Sequence, residues 1–159
     1  MDGATEWNEA DPETTRLIQK KRQLRGKSCI LVIEDDVLAR GMLSASLKGD
    51  HQIVQAKDAR EGLLHYIDHA PDVVFLDIHL PGMSGNEVLR RIRMLDPQAY
   101  VVMLSGDSVR DNIDVARKYG AAGFIRKPFS KDRVLAYVKQ CPSLAMDPSL
   151  RALGWRKST

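Results

Sequence analysis

Five times between residues 28 and 140 the chain passes from a short apolar run to a longer stretch with helical spacing, and that alternation leaves few folds open. Parallel strands need long crossover connections, usually helices, and those crossovers are right-handed. The pattern therefore predicts a parallel sheet with helices on both faces. The runs Cys29-Ile30-Leu31-Val32-Ile33, Val73-Val74-Phe75-Leu76 and Tyr100-Val101-Val102-Met103-Leu104 are continuously apolar, as strands buried on both faces should be. The segment from His51 to Ala56 alternates weakly, as an edge strand does. Five such units are too few to close an eight-stranded barrel, so the expected class is α/β with an open, doubly wound five-stranded sheet.

The connecting segments carry their own signals. After the first strand, Val37, Leu38, Met42, Leu43, Ala45 and Leu47 recur at three-to-four spacing, with Asp36 as the expected N-cap and Gly49-Asp50 as the stop. Asp58 starts a second helix carrying Leu63, Leu64 and Ile67, which Pro71 ends. The turn-rich Leu80-Pro81-Gly82-Met83-Ser84-Gly85 leads into a third with Val88, Leu89, Ile92 and Leu95. A polar helix from Asp111 to Tyr119 stops at Gly120, and a last one runs from Ser130 to Gln140. His51, His65 and His69 are expected at the surface. Met42, Met94 and Met103 are expected to fill the core.

A chain of 159 residues suffices for one domain with a sizeable core, here residues 28–140 between an N-terminal extension 1–27 and a C-terminal tail 141–159. Cys29 and Cys141 are too sparse for a disulfide framework or a metal cluster. No apolar stretch reaches the roughly 20 residues of a membrane helix, and no signal-peptide pattern opens the chain, so no membrane partner is expected and the cytoplasm is the expected address. The excess of Lys and Arg lies in the flanks. Asp11 and Pro12 start a helix that Gly26 can end, with Leu17, Ile18 and Leu24 as its apolar residues. The basic run Lys20-Lys21-Arg22-Gln23-Leu24-Arg25-Gly26-Lys27 reads as a solvated, extended linker. No aromatic interleaving or groove-reading element accompanies it, so nucleic acid is not expected as a partner. In the tail, Leu150, Leu153 and Trp155 could dock on the domain or on a partner.

In an open parallel sheet the ligand crevice lies outside the carboxyl ends of the strands. Here the strands end on Glu34-Asp35-Asp36, Asp77, Ser105 and Lys127-Pro128. An order of 2-1-3-4-5 sets the first and third strands side by side, which gathers Glu34, Asp35 and Asp77. Carboxylates crowded together repel one another unless a cation sits among them. An all-oxygen set without His or Cys favours Mg²⁺, with Mn²⁺ as a substitute. Lys127 adds a mobile positive charge and Ser105 a hydroxyl, so the group suits a phosphoryl ligand. A carboxylate can itself attack phosphorus, and Asp77 is the best placed to do so.

Residues 28–140 resemble the CheY-like receiver domain of two-component response regulators. The resemblance rests on Ile-Leu-Val-Ile-Glu34-Asp35-Asp36, Phe-Leu-Asp77-Ile-His-Leu-Pro-Gly-Met-Ser-Gly85, Val-Met-Leu-Ser105-Gly and Gly-Ala-Ala-Gly-Phe124-Ile-Arg-Lys127-Pro128-Phe129. It implies a flavodoxin-like sheet, Asp77 as phosphoacceptor, and Glu34 and Asp35 as the acidic metal pair. The backbone carbonyl of His79 becomes a further metal ligand. Ser105 and Phe124 become a switch pair, Lys127 the phosphate-binding cation, and the peptide before Pro128 is expected cis. The side chains of His79 and Asp107 occupy the places that tune phosphoryl lifetime.

The implied function is a phosphorylation-activated switch rather than an enzyme, with only self-phosphorylation and self-dephosphorylation chemistry. Its expected partners are a sensor histidine kinase or phosphotransfer protein and a downstream protein met through residues 108–140, with a homodimer left open. Two alternatives remain at this stage. One is an aspartyl-nucleophile phosphohydrolase, although the place of that class's second Asp is held by His79. The other is a constitutive receiver-like scaffold.

Overall fold

A computed structural model describes residues 11–106 and 110–145. Its elements are α1 (Pro12–Leu24), β1 (Cys29–Ile33), α2 (Val37–Leu47), β2 (Gln52–Ala56), α3 (Ala59–His69), β3 (Val73–Asp77), α4 (Gly85–Leu95), β4 (Val101–Ser105), α5 (Arg110–Lys118), β5 (Gly123–Arg126) and α6 (Lys131–Gln140). All neighbouring strands pair in parallel, in the order β2-β1-β3-β4-β5. This is the expected doubly wound sheet. β1, β3 and β4 are buried along their whole length, whereas β2, at one edge, exposes Gln52 and Gln55.

Strand alternation divides the core in two. Leu31, Ile33, Val74, Leu76 and Met103 pack with α3, α4, Ala116 of α5 and Ile18 of α1. Ile30, Val32, Val73, Phe75, Val102 and Leu104 face the other way, onto Leu43 and Leu47 of α2 and Val134 and Val138 of α6. Side-chain caps start the helices: Asp36 accepts from Ala39, Asp58 from Glu61, Ser84 from Glu87 and Ser130 from Arg133. Gly120, at φ +86, supplies the left-handed turn after α5.

Two sequence expectations fail. Met42 is not core filling but 58% exposed, with Val37 and Leu38 exposed beside it. The face of α2 turned to the sheet is the Leu43-Leu47 stripe, one residue further round the helix. The basic run from Lys20 is not an extended, solvated linker either. Its first part completes α1, and Lys21, Arg22 and Arg25 bond to the domain while Lys20 and Lys27 are exposed. Arg22 donates to the Asp96 carboxylate at 2.6 Å, to the Tyr66 hydroxyl at 3.1 Å and to the Pro71 carbonyl at 3.1 Å. Lys21 reaches the Ile67 and Asp68 carbonyls, and Arg25 the His69 and Ala70 carbonyls. Those acceptors are the C-terminal end of α3, where the helix dipole and unpaired carbonyls favour cations. Arg25 also pairs with Asp72 at 2.7 Å.

The carboxylate of Asp72, at the entrance to β3, collects several donors. Its Oδ2 accepts from Arg25 and from the Cys29 amide, and its Oδ1 accepts from the Ser143 hydroxyl at 2.9 Å. Cys141 is buried and Leu144 packs on the second core cluster. Both cysteines are free thiols. Leu150, Leu153 and Trp155 lie outside the described residues.

Candidate functional site

The acidic group forms where β1 and β3 end side by side. Ile33 pairs with Leu76 in register, so the residues that follow, Glu34 and Asp77, emerge together at the carboxyl edge. Ligand-forming oxygens of Glu34, Asp35 and Asp77 lie within 4.8 Å of one another, with Glu34 and Asp77 buried and Asp35 exposed. Lys127 enters from the end of β5 and its Nζ lies 2.9 Å from Glu34 Oε2 and 3.2 Å from Asp77 Oδ2. The Lys127 amide donates to the Ser105 carbonyl at 2.8 Å, and the Lys127–Pro128 peptide is cis.

Backbone contacts fix these groups. The Glu34 amide donates to the Ala56 carbonyl at 3.0 Å and Asp36 N–H donates to Glu34 Oε1 at 3.3 Å. Arg40, which the sequence reading passed over, donates to the Glu34 carbonyl at 2.7 Å. Asp36 is the N-cap of α2 and not part of the acidic group, as expected. Asp77 Oδ1 accepts from the His79 amide at 3.0 Å. The loop that follows turns back so tightly that the Gly85 amide donates to the Ile78 carbonyl at 2.7 Å. A Cβ at position 85 would overlap the Asp77 carbonyl oxygen, so only glycine lets α4 begin there.

The charge balance follows from this packing. Burial pushes the Glu34 carboxyl well up from its ordinary value, against the pull of Lys127, and the neighbouring Asp77 charge adds to the rise. Lys127 shows the converse: burial disfavours its ammonium, but Glu34 and Asp77 outweigh that and hold it charged. Three carboxylates against one ammonium leave room for a further cation, and an all-oxygen set partly open to water through Asp35 suits Mg²⁺.

The other sequence candidates fall around this centre. Ser105 is buried at the end of β4, whose Leu104 pairs with Asp77. Phe124 lies on β5 opposite Met103, half-buried against the first core cluster, with the Arg117 guanidinium 6.0 Å from its ring centroid. His79 is exposed. Asp107 lies outside the described residues. The hydroxyl of Tyr137, also unforeseen, bonds both backbone groups of Phe124.

The chain matches the family model described as response regulator receiver domain over residues 30–139. It is 33% identical over 113 residues to the chemotaxis protein CheY of Bacillus subtilis, covering 70% of this chain and 94% of that protein. It is 38% identical over 108 residues to the CheY of Listeria monocytogenes, covering 67% and 91%. Among solved structures it is similar to the receiver domain of NtrX from Brucella abortus, with 35% identity, a TM-score of 0.68, and coverage of 74% of this chain and 99% of that one.

Proposed function

Because the chain belongs to the response regulator receiver family, we propose that it is a phosphorylation-activated switch whose phosphoacceptor is Asp77. The observation that carries this is the setting of that carboxylate. Asp77 Oδ1 is held by the His79 amide, Oδ2 faces Lys127, and Glu34 and Asp35 stand within metal-sharing distance.

In the proposed reaction an Asp77 oxygen attacks phosphorus, the new O–P bond forms, and the bond from phosphorus to the donor breaks. With a phosphohistidine donor the departing imidazole takes up a proton. The Asp77 oxygen retained by the His79 amide fixes the plane of the carboxylate, and Lys127 then turns its charge from Asp77 Oδ2 to the phosphoryl oxygens. Glu34, Asp35, Asp77 and the His79 carbonyl are the proposed Mg²⁺ ligands. When bound, Mg²⁺ supplies neutralisation of phosphoryl charge. Ser105 and Phe124 are the proposed switch pair.

The donor class is a sensor histidine kinase or phosphotransfer protein, and the output surface lies within residues 108–140. The only chemistry proposed is self-phosphorylation and self-dephosphorylation. Among the described residues no helix is long and apolar enough to cross a membrane; action in the cytoplasm is part of the proposal. Incubation with acetyl phosphate and Mg²⁺ tests it. Acid-stable, base-labile acyl phosphate should form on the native chain and be absent from Asp77→Asn. Equal labelling of the two would overturn the assignment.

A further inference from the structure

β5 is an edge strand, and edge strands present unpaired backbone groups that folded proteins must cover. The parallel ladder to β4 ends with Lys127 N–H on the Ser105 carbonyl. Counting back by the two-residue period of a strand, residues 125 and 123 face β4, and residue 124 turns its N–H and C=O outward. Both outward groups of Phe124 meet one atom. The Tyr137 hydroxyl of α6 accepts from Phe124 N–H and donates to Phe124 C=O, each at 3.3 Å. The backbone carbonyl of Tyr137 in turn accepts from the Tyr100 hydroxyl at 2.8 Å, which ties that turn of α6 to the entrance of β4. Gly123 makes the arrangement possible, because a Cβ there would collide with the hydroxyl edge of the Tyr137 ring.

We infer that the Tyr137 hydroxyl is a positioning group that couples the backbone at position 124 to α6, so that a change at the switch residue reaches the helix on the outer edge of the sheet. This rests on the receiver reading above and deepens it. Phe124 has no polar atom of its own beyond the backbone, and its ring packs against the core and Arg117. Any backbone shift at Phe124 that accompanies a reorientation of that ring is felt directly at the Tyr137 hydroxyl. The two polar groups of that residue are held by Tyr137, whose side chain is half-buried between β5 and solvent. α6 therefore follows the strand instead of sliding over it.

The test uses the full chain with beryllofluoride and Mg²⁺ as the phosphoryl mimic, read by amide chemical shifts. Tyr137→Phe keeps the ring over Gly123 and removes only the hydroxyl. The expected result is acetyl phosphate labelling of Asp77 at the native rate, with the mimic-induced shifts of residues 131–140 reduced at least by half while those beside Asp77 persist. A purely structural hydroxyl would lower thermal stability and leave the shift pattern intact, and that outcome overturns the proposal. Should Tyr137→Phe not fold, the native chain gives a second reading: on titration of the mimic the amide shifts of Phe124 and of residues 131–140 should change together, and a response at Phe124 without one in residues 131–140 overturns the proposal. Failure of the native chain to be labelled at all would instead refute the receiver reading on which this one rests.

Discussion

Arg22 and Asp96, 74 residues apart in the chain, meet at 2.6 Å in the interior, with the Tyr66 hydroxyl donating to the same Asp96 oxygen at 2.8 Å. The guanidinium is 7% exposed and the carboxylate wholly buried. Removing one partner of such a pair strands the other charge without solvent. Arg22→Ala should therefore destabilise the protein by about 3–5 kcal/mol, measured by denaturant unfolding. A chain beginning at Gly26 loses Arg22, Arg25 and the buried Ile18 together, and should be less stable still. Unchanged unfolding midpoints would show that α1 contributes nothing to the fold.

The same pair sets a pH window. Burial raises the Asp96 carboxyl, but the charge and hydrogen bond of Arg22, with the Tyr66 hydroxyl, outweigh it and leave it below its ordinary value. An acid depressed by folding contributes fully above its unfolded value, near 3.9, and loses that contribution as pH falls through the lower folded value. The stability difference between the native chain and Asp96→Asn should stay constant from pH 7 to 5 and close only below about pH 4. Unfolding curves across that range decide it.

Asp35 is the exposed member of the acidic group, so its loss should act on the metal and not on the fold. Asp35→Asn is expected to keep the native melting temperature while lowering Mg²⁺ affinity by at least the ten- to hundred-fold typical of losing a supporting group around a metal. Calorimetric titration with Mg²⁺ measures it. A native affinity would remove Asp35 from the ligand set.

Moving a switch from mostly off to mostly on takes about 5.5 kcal/mol of differential binding. One hydrogen bond to a charged group supplies roughly 1.5–3 kcal/mol, so in the proposed switch Ser105 would not suffice alone and Lys127 would share the load. Ser105→Ala should still bind beryllofluoride at Asp77 but show a smaller shift response in residues 113–118 and 131–140. A full distant response would separate Ser105 from the switch.

His79 is exposed two residues beyond Asp77, with its amide donating to the Asp77 carboxylate. His79→Ala keeps the amide and removes the polar ring, so acyl phosphate should decay more slowly. Decay of labelled protein, followed after removal of acetyl phosphate, checks this. An unchanged half-life would leave the imidazole without a part in hydrolysis.

The acidic group was legible because its members end apolar runs, and a strand's end is fixed by the run itself. Ile33 and Leu76 place Glu34 and Asp77 whatever the helices do. The inward face of α2 was less legible, since Val37, Leu38, Met42, Leu43 and Leu47 fit two overlapping stripes, and only packing against the sheet and α6 selects Leu43 and Leu47. Arg22 carried no local signal at all. A buried arginine depends on a carboxylate supplied from elsewhere, here from the end of α4. Tyr137 was hidden for a similar reason: its role follows from a glycine on a different element.

Asp72 and Asp77 open and close one strand, about 16 Å apart at 3.3 Å per residue. Both flanking segments are moored at the first of these, through Arg25 and Ser143. Arg25 and Ser143 thus fasten the described parts of both flanks at the end of β3 opposite the acidic group. A substitution at either mooring would loosen a flank at one end of β3 and leave the carboxylates at the other end in place, much as a hinge comes off a door without disturbing its lock.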